Sequence, residues 1–391
     1  MIGVEEAQAL CLDLVIPLGA TEVVPLIRAA GRVLARSATT ARAQPPFRSA
    51  AMDGYAVKHA EVRVGAAFTV VGESAAGHRW DRVLRAGEAL RIFTGAPVPE
   101  GADHVVIQED VTREGDRITL LPSLGQGQNI RPEGADFPTG FAMAAPRRLG
   151  PSDLALLAAM NVAEVTVAAR PRVALLATGD ELVMPGQDPG PDQIIASNVF
   201  ALKAMIDAAG GEGVILPIAP DRADALESAM RDLAQADIAV TIGGASVGDY
   251  DLVGQVGAAL GMKRAFYKIS MRPGKPLIAG ALGGVPYLGL PGNPVSAIVT
   301  GHLFLVPMVK RWQGLEAVLP ERVTARLSQD LGPTGPRTHY MRARLEGGVV
   351  TPFARQDSSL LSVLSDANAL LERPLGDRPR KAGEEVPVLP L

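Results

Sequence analysis

Apolar residues recur at helical spacing near the start of the chain (Val4, Ala7, Leu10, Cys11, Leu14, Val15). That spacing predicts an amphipathic helix over residues 4–16, ended by Gly19. Residues 25–34 read as a second helix with a loose middle, and residues 43–47, rich in proline, as a rigid extended connector. From about 48 to 139 the period shortens to alternating runs at 68–71, 89–93, 104–107 and 117–121, separated by glycine and proline turns, which predicts a small β domain. Residues 151–160 predict a helix capped by Ser152, followed by a strand at 162–167. From 173 the rhythm becomes strand, loop, helix, repeated: a strand at 173–177, a helix capped by Ser197, a strand at 214–218, and a helix capped by Asp221. After Trp312 the pattern returns to strands at 322–327, 340–345 and 349–351. The fold class expected is a multidomain α/β chain. A central α/β domain (1–20 with 171–314) joins a linking segment (21–47 with 140–170), an inserted small β domain (48–139) and a C-terminal β domain (315–391).

The densest pattern lies at 237–310. Residues 237–242 are apolar and β-branched, as in a parallel strand buried on both faces. The run empties into Gly243-Gly244-Ala245-Ser246-Val247-Gly248, a loop suited to close backbone approach to a ligand. Asp249 and Asp251 follow where the next helix should begin. Arg272-Pro-Gly-Lys275 sets two cations in a stiff turn, and Leu290-Pro291-Gly292-Asn293-Pro294 ends another strand with proline at a first helical position. Any one of these loops could be an ordinary βα turn. Together with the acids they point to a site for a phosphate-bearing or oxyanion ligand and a metal. Asp180, Glu181, Asp221, Asp249, Lys268, Arg272 and Lys275 all fall on or near predicted strand ends, where open α/β sheets bind ligands.

Composition narrows the chemistry. The chain has 391 residues, 47% hydrophobic and 20% charged, with a net charge of −4, so nothing global favours nucleic acid. Cys11 is the only cysteine and the five histidines are scattered, which excludes a disulfide framework and a cysteine zinc cluster. The acidic, helical N-terminus does not read as a signal peptide, and the expected location is the cytoplasm. No Asp, Glu, Lys or Arg falls between Lys275 and Lys310. Glycines and prolines break that run into strand, strand and helix, so it reads as buried core rather than membrane span. No P-loop, dinucleotide fingerprint or nucleophile elbow is present. What remains is charge: acids able to hold a divalent cation, and bases and backbone N–H groups able to hold oxyanions. The C-terminal arginines Arg337, Arg342, Arg344 and Arg355 read as a solvated basic face.

Several stretches resemble one family. They are Ser49-Ala-Ala-Met-Asp53-Gly-Tyr55-Ala-Val57, Ile92-Phe-Thr94-Gly-Ala-Pro-Val-Pro-Glu-Gly101, Gln128-Asn-Ile-Arg131 with Gly134-Ala-Asp136, Ala177-Thr-Gly-Asp180-Glu181-Leu182, Ser246-Val-Gly248-Asp249-Tyr-Asp251, Arg272-Pro-Gly-Lys275-Pro276 and Gly289-Leu-Pro-Gly-Asn-Pro-Val-Ser296. In that order they resemble the molybdopterin molybdenumtransferase family, which includes the E domain of gephyrin. The resemblance implies a homodimer in which Asp53 and Thr94 of one subunit complete the site of the other. It also implies a reaction that joins molybdate to adenylylated molybdopterin, releases AMP and needs Mg2+. On that reading Asp180, Glu181, Asp221 and Asp249 face the metal and the pterin nucleotide. Lys268, Arg272 and Lys275 hold oxyanion oxygens, while Ser246 and the amides of Gly243, Gly244 and Gly248 donate. Pro291, Gly292, Asn293 and Pro294 shape the second loop, Arg131 binds ligand and Asp136 joins the catalytic set. Other molybdenum cofactor biosynthesis proteins are implied as partners, with no nucleic acid and no membrane. Ala196 stands where the family often has aspartate, and Arg272 where lysine is also found. Two other readings stay open: a pterin-binding or scaffold module without turnover, and the sister enzyme that adenylylates molybdopterin.

Overall fold

The computed structural model describes residues 1–17, 19–244 and 252–391. Its centre is a six-stranded sheet in the order Glu212–Ile215, Arg172–Ala177, Ile238–Ile242, Val285–Leu290, Ile278–Leu282, Lys263–Tyr267. The first four strands run parallel, Ile278–Leu282 runs opposite to them, and Lys263–Tyr267 pairs antiparallel with it. All five residues of Ile238–Ile242 are buried, as the unbroken apolar run predicts for a strand covered on both faces. Each large apolar side chain buried there contributes about 1.5–3 kcal/mol. Two cores flank this sheet. One gathers Leu175, Val240 and Leu288 with the helices Asn198–Ala208 and Pro294–Thr300, and the other gathers Leu176, Ala239 and Tyr287 with Ala223–Leu233 and Leu252–Ala259. The apolar helix at 294–312 passes through a π turn, Gly301–Leu305, and most of its residues are buried.

The N-terminal helix, Val4–Asp13, packs Val4, Ala7 and Cys11 into the first of these cores. It stops at Asp13, earlier than the pattern predicts. The helix expected over 25–34 does not form. Instead Thr21–Pro25 is a strand paired with Glu164–Ala168, Leu26–Arg28 is a single 3-10 turn, and Val33–Leu34 is a short strand. The β-branched pair Val23-Val24 before Pro25 suits a strand, and Gly31, at φ +71, interrupts any helix beyond it. Ser152 is not the cap of its helix. Gly150 holds that position, Pro151 opens the helix Pro151–Ala159, and the Asp153 carboxylate accepts from the Gly150 N–H at 2.8 Å.

A second six-stranded sheet runs His104–Ile107, Gly54–Val57, Glu88–Ile92, Ala67–Ser74, Arg117–Leu120, Val111–Glu114, with cores centred on Leu90 and Ile92 and on Val57 and Phe68. At the C-terminal end, Thr338–Glu346, Val349–Pro352, Val323–Leu327, Glu385–Pro390 and Ala369–Arg373 close on themselves as a barrel. A sixth short strand, Met271–Arg272, comes from the central sheet's own chain segment and pairs with Thr338–Glu346. Arg342 does not lie on a solvated face. It is 2% exposed, and its guanidinium donates to Gln356 and to the carbonyls of Asp357 and Leu360. Among the described residues no helix is long and apolar enough to cross a membrane.

Candidate active site

A cavity of about 880 Å³ opens beyond the carboxyl ends of Arg172–Ala177, Ile238–Ile242 and Val285–Leu290. This is where a parallel sheet leaves room for a ligand, because the crossover loops diverge there. Two loops form its floor. Gly243, at φ +93, donates its N–H to the Leu290 carbonyl at 3.1 Å, and Gly244 follows at φ +64. A Cβ on Gly244 would stand 2.3 Å from Val253 Cγ2, and one on Gly292 would stand 3.5 Å from Gly243 Cα, so the two loops touch through glycine. Pro294 opens a helix, as expected, and Asn293 occupies the N-cap position without a side-chain bond into the first turn. The Asn293 amide donates to Ser358 Oγ at 3.1 Å, and the Asn198 amide to the Gly292 carbonyl at 2.7 Å.

Of the expected site residues, the structure brings Glu181, Asp221, Gly243, Gly244, Pro291, Gly292, Asn293 and Pro294 to one cavity. Glu181 folds back so that its carboxylate crowds the Cβ position that Gly179 leaves open. Asp180 sits just outside the lining, and its carboxylate accepts from the Asp221 backbone N–H at 3.1 Å. Asp221 is not itself the helix cap; Arg222 holds that position before Ala223–Leu233 and pairs with Asp224. Ser246, Gly248 and Asp249 lie outside the described residues. Among the described residues, no group of three or more His, Cys, Asp or Glu side chains is placed to hold a metal ion. Glu181 and Asp221 are the carboxylates among the described residues that reach the cavity.

The three cations do not line it. Lys268, at φ +67, lays its Nζ over the Tyr267 ring at 4.7 Å from the centroid. Lys275 is exposed, and its carbonyl accepts from Ile269 and Leu277, while the next residue, Pro276, does reach the cavity wall. Arg272 stands on the short strand that joins the barrel, opposite His339. Burial, then the charges of Arg272, Arg342, Arg373 and Arg337, lowers His339 to about 4. The barrel seam is therefore rich in arginine. It connects to the cavity through the segment at 357–359, where Arg342 bonds the Asp357 carbonyl and Ser359 lines the wall.

The expected residues of the small β domain form a separate group. Asp53 accepts from both the backbone N–H and the hydroxyl of Thr94, at 2.7 and 2.8 Å. Those two bonds hold its carboxyl below the usual carboxylate range, with Arg91 adding to the effect. Arg131 pairs across a two-stranded ribbon with Ser49, and the Asp136 N–H donates to the Gln44 carbonyl. None of these four residues lines the cavity of its own chain.

Pattern reading missed Thr178, Asn198 and Ser359 as cavity residues. Thr178 is 4% exposed, and its hydroxyl has no hydrogen-bond partner among the described residues. Its place directly after a buried strand was the available signal. Ser359 carried none, since only the folded barrel brings it there.

The regions of the chain match three family descriptions in order. Residues 2–161 match "MoeA N-terminal region (domain I and II)", residues 174–311 "Probable molybdopterin binding domain", and residues 324–391 "MoeA C-terminal region (domain IV)". The central α/β region is thus of the class described as a probable molybdopterin binding domain, and MoeA-type regions flank it on both sides. A molybdopterin molybdenumtransferase from Nostoc sp. is 38% identical over 95% of this chain and 89% of its own length. One from Haemophilus influenzae is 33% identical over 100% and 98%. A crystal structure of the molybdopterin biosynthesis MoeA protein from Pyrococcus horikoshii superposes with a TM-score of 0.85 at 31% identity, covering 100% of this chain and 99% of that one. The chain belongs to the molybdopterin molybdenumtransferase family.

Proposed function

We propose that this chain inserts molybdenum from molybdate into adenylylated molybdopterin and releases AMP, using Mg2+, as a cytoplasmic homodimer. The observation that carries this reading is the cavity of about 880 Å³, in which two carboxylates, a glycine pair and a helix start meet at the strand ends. A pterin nucleotide is of a size for such a cavity. Carboxylates facing an anionic ligand are unfavourable unless a cation lies between them. Mg2+ suits that place because it keeps several waters and binds through one or two carboxylates together with ligand phosphates. Glu181 and Asp221 would hold it, and it would supply neutralisation of phosphoanhydride charge. The backbone at Gly243 and Gly244 lets a phosphate approach closely, and Pro291 to Pro294 fix the facing wall. The arginine-rich barrel seam near Arg272 offers the cationic ground an oxyanion needs. No protein nucleophile is required: the chain positions the reactants and stabilises charge.

The Asp53–Thr94 pair supports the dimer. Its carboxylate is held low and oriented, yet it does not line the cavity of its own subunit, which suits a role in the site of the other. We further take the chain to divide into the four parts expected from the pattern. The test incubates purified protein with adenylylated molybdopterin, molybdate and Mg2+. Molybdate-dependent AMP release with cofactor formation is expected, and Glu181→Ala or Asp221→Ala should lower it by about 100-fold or more. Tight binding without release would favour a pterin-binding module, and ATP consumption the adenylylating enzyme.

A further inference from the structure

We propose that Thr178 is a ligand-binding residue whose hydroxyl donates to a phosphate oxygen of the nucleotide, beside the start of the Asn198–Ala208 helix. The inference rests on the pterin-nucleotide reading above.

Three observations converge. First, Thr178 lines the cavity, and its buried hydroxyl has no partner among the described residues. A buried polar group left unpaired is unfavourable, so folds rarely keep one without a use. Second, the hydroxyl faces the glycine pair: Cβ atoms built on Gly243 and Gly244 would stand 3.3 and 3.0 Å from Thr178 Oγ1. The hydroxyl therefore lies against the backbone of the glycine pair at the cavity floor. Third, the helix Asn198–Ala208 starts at the same cavity, where Ser197, Asn198 and Val199 line the wall, and Ser197 makes no side-chain bond into the first turn. Helix starts carry unpaired N–H groups and a positive partial charge, which favour an anion. The carboxylates of Glu181 and Asp221 on the same cavity only accept hydrogen bonds when ionised, and the Asn198 amide is committed to Gly292. Thr178 is thus a side-chain donor with no prior commitment, placed beside an anion-favouring helix start.

This predicts a behaviour that a purely structural threonine does not share. Thr178→Val removes the hydroxyl but keeps the shape, and in the free protein no described partner is left behind. Its melting temperature without ligand should equal or exceed that of the wild type. Affinity for adenylylated molybdopterin, measured by calorimetry, should fall about tenfold, and KM should rise while kcat stays within about threefold. Thr178→Ser keeps the hydroxyl and should bind within about twofold of wild type. Wild-type affinity in Thr178→Val, or a lower melting temperature with unchanged binding, would overturn the inference and leave the parent reading standing. Failure of the wild-type protein to bind the pterin nucleotide at all would overturn both.

Discussion

Cys11 is the chain's one thiol, and burial pushes it up to about 12. It is a neutral core residue on the first helix, without the thiolate that reactivity demands. A thiol reagent at neutral pH should therefore label the unfolded chain stoichiometrically and the native one hardly at all, as mass spectrometry would read. Gly54 shows a different kind of single-residue constraint. Its backbone lies so close to the neighbouring strand that an added Cβ would meet the Val106 carbonyl oxygen, well inside contact distance. Gly54→Ala should cost about 3 kcal/mol or more, read as a fall in the denaturation midpoint, and it should carry Asp53 out of place in the process. Such close approaches left only a faint mark in the sequence. Gly54 stood inside a recognisable motif, but nothing local said which carbonyl it would face.

At the scale of elements, what could be read was what local period dictates. Ile238–Ile242 and Val285–Leu290 were legible because strands covered on both faces are apolar throughout. The Pro291–Pro294 turn was legible because proline marks a first helical position. The 25–34 segment was misread because the strands that pair with its two ends, Glu164–Ala168 and Arg147–Arg148, lie far along the chain. The short strand Met271–Arg272 left no signature either, since it exists only by pairing with Thr338 and His339. Likewise the burial of Arg342 depends on Gln356 and the 357–360 carbonyls, which no charge pattern announces. The strand pairing at this seam has a pH signature. His339 takes up a proton near 6.5 when unfolded but only near about 4 when folded. As pH falls through that window, the unfolded chain binds a proton that the folded one refuses, so stability is lost on going from 6.5 to 4. His339→Asn should flatten the dependence of melting temperature on pH over that interval, as calorimetric scans would show.

For the molecule as a whole, the separation of Asp53 and Thr94 from the cavity has a direct test in mixed subunits. Asp53→Asn and Glu181→Ala should each be nearly inactive alone. After unfolding and refolding together, about half of the dimers would be mixed and each would keep one intact site, restoring about a quarter of wild-type turnover. No recovery would mean that each subunit works with its own residues. The first helix carries a consequence of another sort. Gln8 donates to the Leu303 carbonyl, 295 residues further along, and Val4, Ala7 and Cys11 fill the same core as Leu303 and Phe304. At ribosomal speeds of about 5–20 residues per second, this helix waits about 15–60 s between its own synthesis and that of its berth. Until then its apolar stripe is a homeless surface on the nascent chain, of the kind a holding chaperone covers.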